Sequence, residues 1–268
     1  MTSTSRLAHT CDQGSQLPVD FNKLKFIAHG TSGVVYAIDE HRVLKEYYDA
    51  EDGAEERKAL DRLGPHPNII AYYGNADQKS IVLERGIPLL SLSGTSDIRM
   101  QDREAWIKDL AEGLLHIHKH NIVHGDVGCE NMVLVKNRVK IIDFEGCAMD
   151  GKDGTAAYKW HNRRDLSVDT KSDIFAYGCV VYQILTGKTT LFELAEVADR
   201  DKVARRLWSE KRFPDVRGLR LDSVMLGCWS GELTSMEDVV AALDSASRPR
   251  GVFGRAASLY RWLVSFLT

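Results

Sequence analysis

The spacing of the apolar residues changes near residue 86, and this change restricts the chain to folds built from two unlike parts. Before that point, four short segments alternate apolar and polar residues as strands do: 23–28, 34–38, 42–47 and 80–84. A helical pattern at 54–63, followed by Gly64, interrupts them. These patterns predict a small antiparallel sheet with one helix.

Helical spacing dominates after residue 86, apart from two short apolar segments at 132–135 and 139–143. Helices are predicted at 102–120, 173–187, 200–209, 219–228, 235–245 and 252–267. The expected fold class is therefore α+β with two lobes. A small β-rich N-terminal lobe with one helix precedes a larger, mostly helical C-terminal lobe.

The length of 268 residues fits one large domain or two lobes, at roughly 150 residues per domain. Residues 1–19, rich in Ser, Thr and Gln, are predicted to form a flexible arm. The folded domain is predicted at 20–245, with its lobes at 20–84 and 88–245. A basic amphipathic helix is predicted at 246–268, where it could pack against the helical lobe, lie on a membrane or hold a partner.

Charge and cysteine content argue against several classes of protein. The net charge of −3 gives no electrostatic reason to bind nucleic acid or an anionic membrane. The five cysteines form no CxxC pair, so a reducing compartment is expected rather than a disulfide framework or a zinc site. No apolar run approaches the ~18 residues that cross a bilayer. The sequence therefore predicts a cytoplasmic or nuclear protein and leaves its oligomeric state open.

A glycine-containing turn lies between two predicted strands: Ala28-His29-Gly30-Thr31-Ser32-Gly33-Val34-Val35-Tyr36. Because glycine has no side chain, such a turn brings backbone N–H groups close to phosphate oxygens. Lys45 follows at the end of an apolar run, and it could neutralise phosphate charge if it faces a cleft. Taken alone, the turn could equally be an ordinary hairpin, and the lysine could be solvated.

A carboxylate able to hold Lys45 would separate these alternatives. Glu56 lies on the predicted helix, seven residues before Leu63, and is positioned to be that carboxylate. The neighbouring Glu55 points about 100° away on the same helix, so only one of the two can do it.

Further along the chain, His124-Gly125-Asp126-Val127-Gly128-Cys129-Glu130-Asn131 is followed by Asp143-Phe144-Glu145-Gly146. Asp126 and Asn131 lie five residues apart on a loop, and Asp143 follows a short hairpin. These groups could place oxygen ligands around Mg²⁺ while one carboxylate accepts a hydroxyl proton.

In this order, these motifs resemble the eukaryotic-type protein kinase domain over roughly residues 21–245, and in detail they are similar to small kinase domains of filamentous fungi. The resemblance implies ATP and Mg²⁺ as cofactors and a Ser/Thr hydroxyl of a protein substrate as acceptor. It assigns catalytic roles to Asp126, Lys45, Glu56 and Thr155, and metal binding to Asn131 and Asp143. The nucleotide-binding residues that it implies are Ala28, Gly30, Gly33, Val35, Lys45, Leu83, Glu84 and Gly86.

The chain departs from the family pattern at several places. Gly125 replaces the arginine before Asp126, and the segment from Gly146 to Gly154 is short, so we expect an activation segment that folds without phosphorylation. Gly128 replaces the lysine that neutralises the γ-phosphate, and Lys152, Lys159, Arg163 or Arg164 could supply that charge instead. Glu145 replaces the glycine of the DFG element.

These departures keep two other functions open. A pseudokinase, which binds nucleotide as a scaffold, is suggested by Gly128, Glu145 and Ala28. A small-molecule phosphotransferase is suggested because the HGD motif followed by an asparagine is also similar to aminoglycoside- and choline-type enzymes. The spacing of Lys45 from the glycine turn favours a protein kinase over this last class.

Overall fold

The structure is a computed structural model that describes residues 17–92, 97–155, 158–162, 165 and 167–247, apart from the side chain of Asp52. The predicted helix at 252–267 lies outside the described residues, as does most of the predicted arm at 1–19.

An antiparallel sheet forms the N-terminal lobe. Its strands are β1 (Lys25–His29), β2 (Gly33–Ala37), β3 (Arg42–Tyr47), β4 (Tyr72–Asn75) and β5 (Ser80–Glu84), in the spatial order β1-β2-β3-β5-β4. The sequence predicts all of these strands except β4. The Tyr-Tyr-Gly-Asn sequence of β4 is short, and the pairing with β5 shifts register at Gly74, whose φ is 127°.

One α-helix, α1 (Asp52–Leu63), accompanies this sheet, as predicted. Ala59, Leu60 and Leu63 are buried in the main hydrophobic core. The helix ends at Gly64, whose φ of 61° lies in the left-handed region that glycine tolerates, and whose N–H bonds to the carbonyl of Leu60. The buried stripe positions the helix against the sheet.

The C-terminal lobe is mostly helical. Its α-helices are α2 (Met100–Lys119), α3 (Thr170–Thr186), α4 (Arg200–Ser209), α5 (Asp222–Ser230) and α6 (Met236–Ser247). Short strands between α2 and α3 carry the loops of the candidate site: β7 (Ile122–Val123), β8 (Met132–Val135), β9 (Arg138–Ile141) and β10 (Ala148–Met149). Strand β6 (Ile87–Pro88), just after the first sheet, pairs with β8.

Helices α2 and α3 form the centre of this lobe. Leu110, Leu114 and Ile117 of α2 are fully buried, and α3 is buried along most of its length. Each such large apolar side chain contributes about 1.5–3 kcal/mol by leaving water. The predicted two-lobed α+β architecture is confirmed. Within the described ranges, every helix is too short or too polar to cross a membrane.

Helix α3 begins three residues before its predicted start because of a capping box. The side chain of Asp169 accepts from the Ser172 N–H at 2.7 Å, and the Ser172 hydroxyl accepts from the Asp169 N–H at 2.8 Å. A serine in the third position is not the usual Glu or Gln of this motif, so the sequence signal is weak.

Three imidazoles cluster where the segment after α1 meets α2. The ring of His116 lies 4.2 Å from the rings of both His66 and His120. The Nε2 of His116 bonds to the carbonyl of Leu63 at 2.8 Å, which ties α2 to the end of α1. Burial, together with the charges of neighbouring groups, chiefly His116, lowers the pKa of His66 to about 4.

This low pKa predicts that part of the acid sensitivity of the fold comes from His66. The unfolded chain binds a proton near pH 6.5 and the folded chain only near pH 4, so stability falls as pH drops through this range. His66→Asn keeps an acceptor for the Asn68 N–H and removes the titration. Between pH 7.5 and 4.5 we expect the unfolding free energy of His66→Asn to fall less than that of the wild-type chain, by up to about 1 kcal/mol after solvent screening. Urea unfolding at the two pH values measures this difference. The exposed His41→Asn variant is the control, and equal pH slopes in all three proteins would contradict this role.

Candidate active site

Lys45 lies at the centre of a cluster of carboxylates between the two lobes. It projects from β3, and its Nζ is 2.6 Å from Glu56, 2.6 Å from Asp143 and 3.2 Å from Glu145. Burial acts to lower the pKa of Lys45, but the three carboxylates together raise the pKa well above that of a free lysine. Lys45 is therefore a fixed positive charge.

Glu56 is the carboxylate that holds Lys45 from α1. Its side chain is fully buried, and its Oε2 also accepts a hydrogen bond of 2.5 Å from the Tyr47 hydroxyl. Its Oε1 accepts from the Phe144 N–H at 3.2 Å. The structure places Glu55 elsewhere, 2.7 Å from Lys152. Glu56 thus faces Lys45 and Glu55 points away from it, as the angle between neighbouring residues on a helix requires.

Further ion pairs connect the outer face of α1 to the turn after β10. Lys58 and Arg62 both lie 2.6 Å from Asp150, and Lys152 pairs with Glu55 in the same turn. The bond from Arg62, and next that from Lys58, holds the pKa of Asp150 well below its usual range. Exposed pairs of this kind each contribute only about 0–1 kcal/mol. Together they hold the start of the short segment after Gly146 against the helix that carries Glu56.

A second buried carboxylate, Asp173 of α3, holds the loop that carries Asp126. It accepts hydrogen bonds from the N–H groups of His124 at 2.9 Å and Gly125 at 3.0 Å, and from the Tyr158 hydroxyl at 2.6 Å. Its Oδ2 also lies 2.8 Å from Nε2 of His118. Burial would raise the pKa of Asp173, but these partners, His118 foremost, lower it below the ordinary value.

Gly125, which stands where the family pattern has an arginine, takes a backbone conformation that suits glycine. Its φ is 81°, a left-handed conformation in which a side chain is strained. Glycine allows this backbone to turn its N–H toward Asp173 without strain.

Asp126 and Asn131 are joined directly. The Nδ2 of Asn131 donates to both the carbonyl and the Oδ2 of Asp126, each at 2.9 Å. Burial raises the pKa of Asp126, although His124, Asn131 and Lys159 act to lower it. A carboxylate with a raised pKa is a better proton acceptor at neutral pH.

The oxygen donors suit a hard cation such as Mg²⁺. Because Asn131 uses its amide nitrogen on Asp126, its Oδ1 is the atom left to bind a cation. Asp143 gives one oxygen to Lys45, and its side chain is 34% exposed. Magnesium prefers such oxygen ligands, so these residues fit the metal expected from the sequence.

The predicted nucleotide-binding residues belong to the first sheet and to the segment that follows it. Ala28 pairs with Val35 across β1 and β2, and the Gly30 N–H bonds to the Gly33 carbonyl at 2.8 Å to close the turn. A side chain at Gly33 would begin 2.2 Å from the carbonyl oxygen of Glu46, so this close approach requires glycine. Leu83, at the end of β5, is buried.

Glu84 and Gly86 form the connection between the lobes. The carboxylate of Glu84 lies 2.9 Å from Lys140 of β9. A Cβ at Gly86 would meet the side chain of Val133 at 2.7 Å, so the connection packs tightly on β8. These contacts fix where the first sheet joins the helical lobe.

One predicted site residue, Thr155, makes no described contact with Asp126 in the structure. Thr155 is exposed. Gly128 lies against Glu130, whose carboxylate oxygen would be 2.5 Å from a Cβ at that position.

Of the four cations that could replace the missing lysine, Lys152 is held by Glu55, and Arg163 and Arg164 lie outside the described residues. Lys159 acts electrostatically on Asp126.

Sequence reasoning missed several residues of the site. Tyr47 follows Lys45 by two positions in β3, so period-2 alternation could have placed both on one face. The contacts of Ser32, Glu145 and Asp150 had no such local signal, although the sequence analysis names Glu145 as a departure from the family pattern. The Ser32 hydroxyl donates to Glu145 across 113 residues of sequence.

Comparison with known proteins agrees with this geometry. A family model described as protein kinase domain matches residues 21–248. A Wee1-like protein kinase of Arabidopsis thaliana is 30% identical over 62% of this chain and 36% of its own length. The serine/threonine-protein kinase PknB of Mycolicibacterium smegmatis is 33% identical over 46% and 23%, and the dual specificity protein kinase Ttk of Danio rerio is 23% identical over 76% and 24%. The chain spans well under half the length of each relative.

The two glutamates of α1 give a matched test of the site geometry. Glu56→Gln removes a buried carboxylate that binds Lys45, Tyr47 and Phe144, so we expect a loss of about 2–3 kcal/mol in unfolding free energy. Glu55→Gln removes one half-exposed ion pair, and we expect a loss below about 1 kcal/mol. Urea unfolding of both variants measures the difference; equal losses would show that Glu56 is not the buried partner.

Proposed function

Because the chain belongs to the protein kinase domain family, we propose that it binds Mg-ATP between its lobes and transfers the γ-phosphate to Ser or Thr hydroxyls of proteins. The observation that carries this proposal is the convergence of Lys45, Glu56 and Asp143. Lys45 lies 11 residues from Glu56 and 98 from Asp143 in sequence, yet its Nζ is 2.6 Å from both. An ammonium held by two carboxylates at a cleft is suited to orient a polyphosphate.

Each residue has a role in this proposal. Lys45, fixed by Glu56, orients the phosphates, and the turn at 28–36 covers them. Asn131 and Asp143 would hold Mg²⁺, which supplies charge neutralisation on the phosphates when bound. Asp126, directed by Asn131, accepts the proton of the attacking hydroxyl. The nucleotide base would lie beside Leu83, Glu84 and Gly86, as the family resemblance implies.

Serine/threonine selectivity is the finer part of the proposal. It is supported by Thr155, which matches the position expected to orient Asp126, and by PknB, named as a serine/threonine-protein kinase. Thr155 is exposed in the structure, so this role requires Thr155 to approach Asp126 when substrate binds.

Lys159 is our candidate for the positive charge that Gly128 does not provide. It follows Tyr158, which is anchored to Asp173 at 2.6 Å, so its backbone is held near the catalytic loop. Its charge also acts to lower the pKa of Asp126, as expected of a nearby cation, although burial raises that pKa more strongly.

A nucleotide-binding scaffold without transfer is the second candidate. The observation that favours it is the position of Glu145, which contacts both Lys45 and the glycine turn. Such contacts compete with phosphates for the same donors.

The reducing compartment expected from the cysteines supports a cytoplasmic or nuclear protein. Cys129, Cys147, Cys179 and Cys228 are free and buried. Burial raises the pKa of the Cys147 thiol to about 12, so it is protonated at neutral pH.

Asp126→Asn distinguishes an enzyme from a scaffold. The purified chain is incubated with labelled Mg-ATP and generic protein acceptors, with Asp143→Asn as the metal-site control. We expect Asp126→Asn to lower transfer by about 10²–10⁴-fold while leaving the thermal shift caused by Mg-ATP in place. A thermal shift with no transfer by the wild-type chain would select the scaffold.

Replacement of Lys159 tests the source of the missing charge. We expect Lys159→Ala to lower turnover about 10–10²-fold, because it removes a cation from the transferring phosphate. Lys152→Ala is the matched control, since Lys152 is held by Glu55, and its turnover should stay within about twofold of wild type. If both variants turn over like wild type, the charge does not come from Lys159.

A further inference from the structure

Glu145 connects the glycine turn to Lys45. Its Oε2 accepts a hydrogen bond from the Ser32 hydroxyl and lies 3.2 Å from the Lys45 Nζ. Its side chain is 25% exposed, so the carboxylate is partly accessible to solvent.

The charges around Lys45 are unbalanced. One ammonium faces the carboxylates of Glu56, Asp143 and Glu145, and an oxygen from each lies within 4.8 Å of the others. Glu56 has additional donors in Tyr47 and the Phe144 N–H. Glu145 has only the Ser32 hydroxyl in addition to Lys45, and Asp143 has no further donor among the described contacts, so the site carries excess negative charge.

We propose that Glu145 makes nucleotide binding depend on a divalent cation. This inference rests on the proposed nucleotide function, in which Lys45 and the turn at 28–36 hold the phosphates. Glu145 touches both, so any polyphosphate held by them lies beside its carboxylate. Metal-free ATP is repelled there, whereas a bound cation neutralises both partners.

Glu145 also acts as a tether through Ser32, and the two effects are separable by mutation. Glu145→Gln removes the charge and keeps a side chain of the same size that can still bond to Ser32. Ser32→Ala removes the tether and keeps the charge. Neither substitution alters Asn131 or Asp143, so the proposed metal ligands remain.

Calorimetric titration with ATP tests the inference at pH 7.5, once with excess Mg²⁺ and once with EDTA. We expect Glu145→Gln to raise the affinity for metal-free ATP by about tenfold or more, while the affinity for Mg-ATP changes less than about threefold. Ser32→Ala should change both affinities by a similar factor. Glu55→Gln, which removes the same charge away from Lys45, should change neither.

The outcomes separate the inference from the function on which it rests. If Glu145→Gln raises both affinities equally, or leaves the affinity for metal-free ATP unchanged, Glu145 does not set the cation dependence. If the folded wild-type chain binds ATP in neither condition, the proposed nucleotide function fails and the inference fails with it.

Discussion

The ion pair between Lys45 and Glu56 is the interaction on which the rest of the site depends. A fully buried carboxylate is costly unless it is paired and hydrogen-bonded, and Glu56 meets this condition with Lys45, Tyr47 and the Phe144 N–H. These donors come from β3 and from the segment after β9, so α1 can bury Glu56 only when the sheet and that segment are both in place. Glu56 therefore joins the two lobes through the Phe144 N–H and also orients the lysine.

Asp173 serves the same purpose in the helical lobe. It is fully buried, and it is stable there because two backbone N–H groups and two side chains bond to it. Its partners come from α2, from the loop before Asp126 and from Tyr158, so one carboxylate fixes three segments. The two halves of the site are thus each built around a buried acid rather than around a phosphorylated residue.

Local sequence patterns predict the elements that carry Lys45 and Glu56 and the order of the other candidate residues. The strand that carries Lys45, the helix that carries Glu56 and the spacing of Asp126, Asn131 and Asp143 all follow from periodicity or from motif order. The sequence does not predict long-range contacts, because these leave no local pattern. The bond from Ser32 to Glu145 joins positions 113 residues apart, and the pair from Lys58 to Asp150 joins positions 92 apart. Strand β4 was missed because Gly74 disrupts its alternation.

The substitutions in the catalytic loop and after Asp143 make physical sense together. Gly128 removes a positive charge that the family pattern places at the γ-phosphate, and Glu145 adds a negative one. Both changes shift the site toward negative potential, while Lys45 remains the ammonium at its centre. A polyphosphate bound there needs positive charge in addition to that of Lys45. A divalent cation and Lys159 can each supply part of this charge. If the chain binds nucleotide as proposed, we expect a site of this composition to exclude a metal-free nucleotide more strongly than one with the usual lysine and glycine.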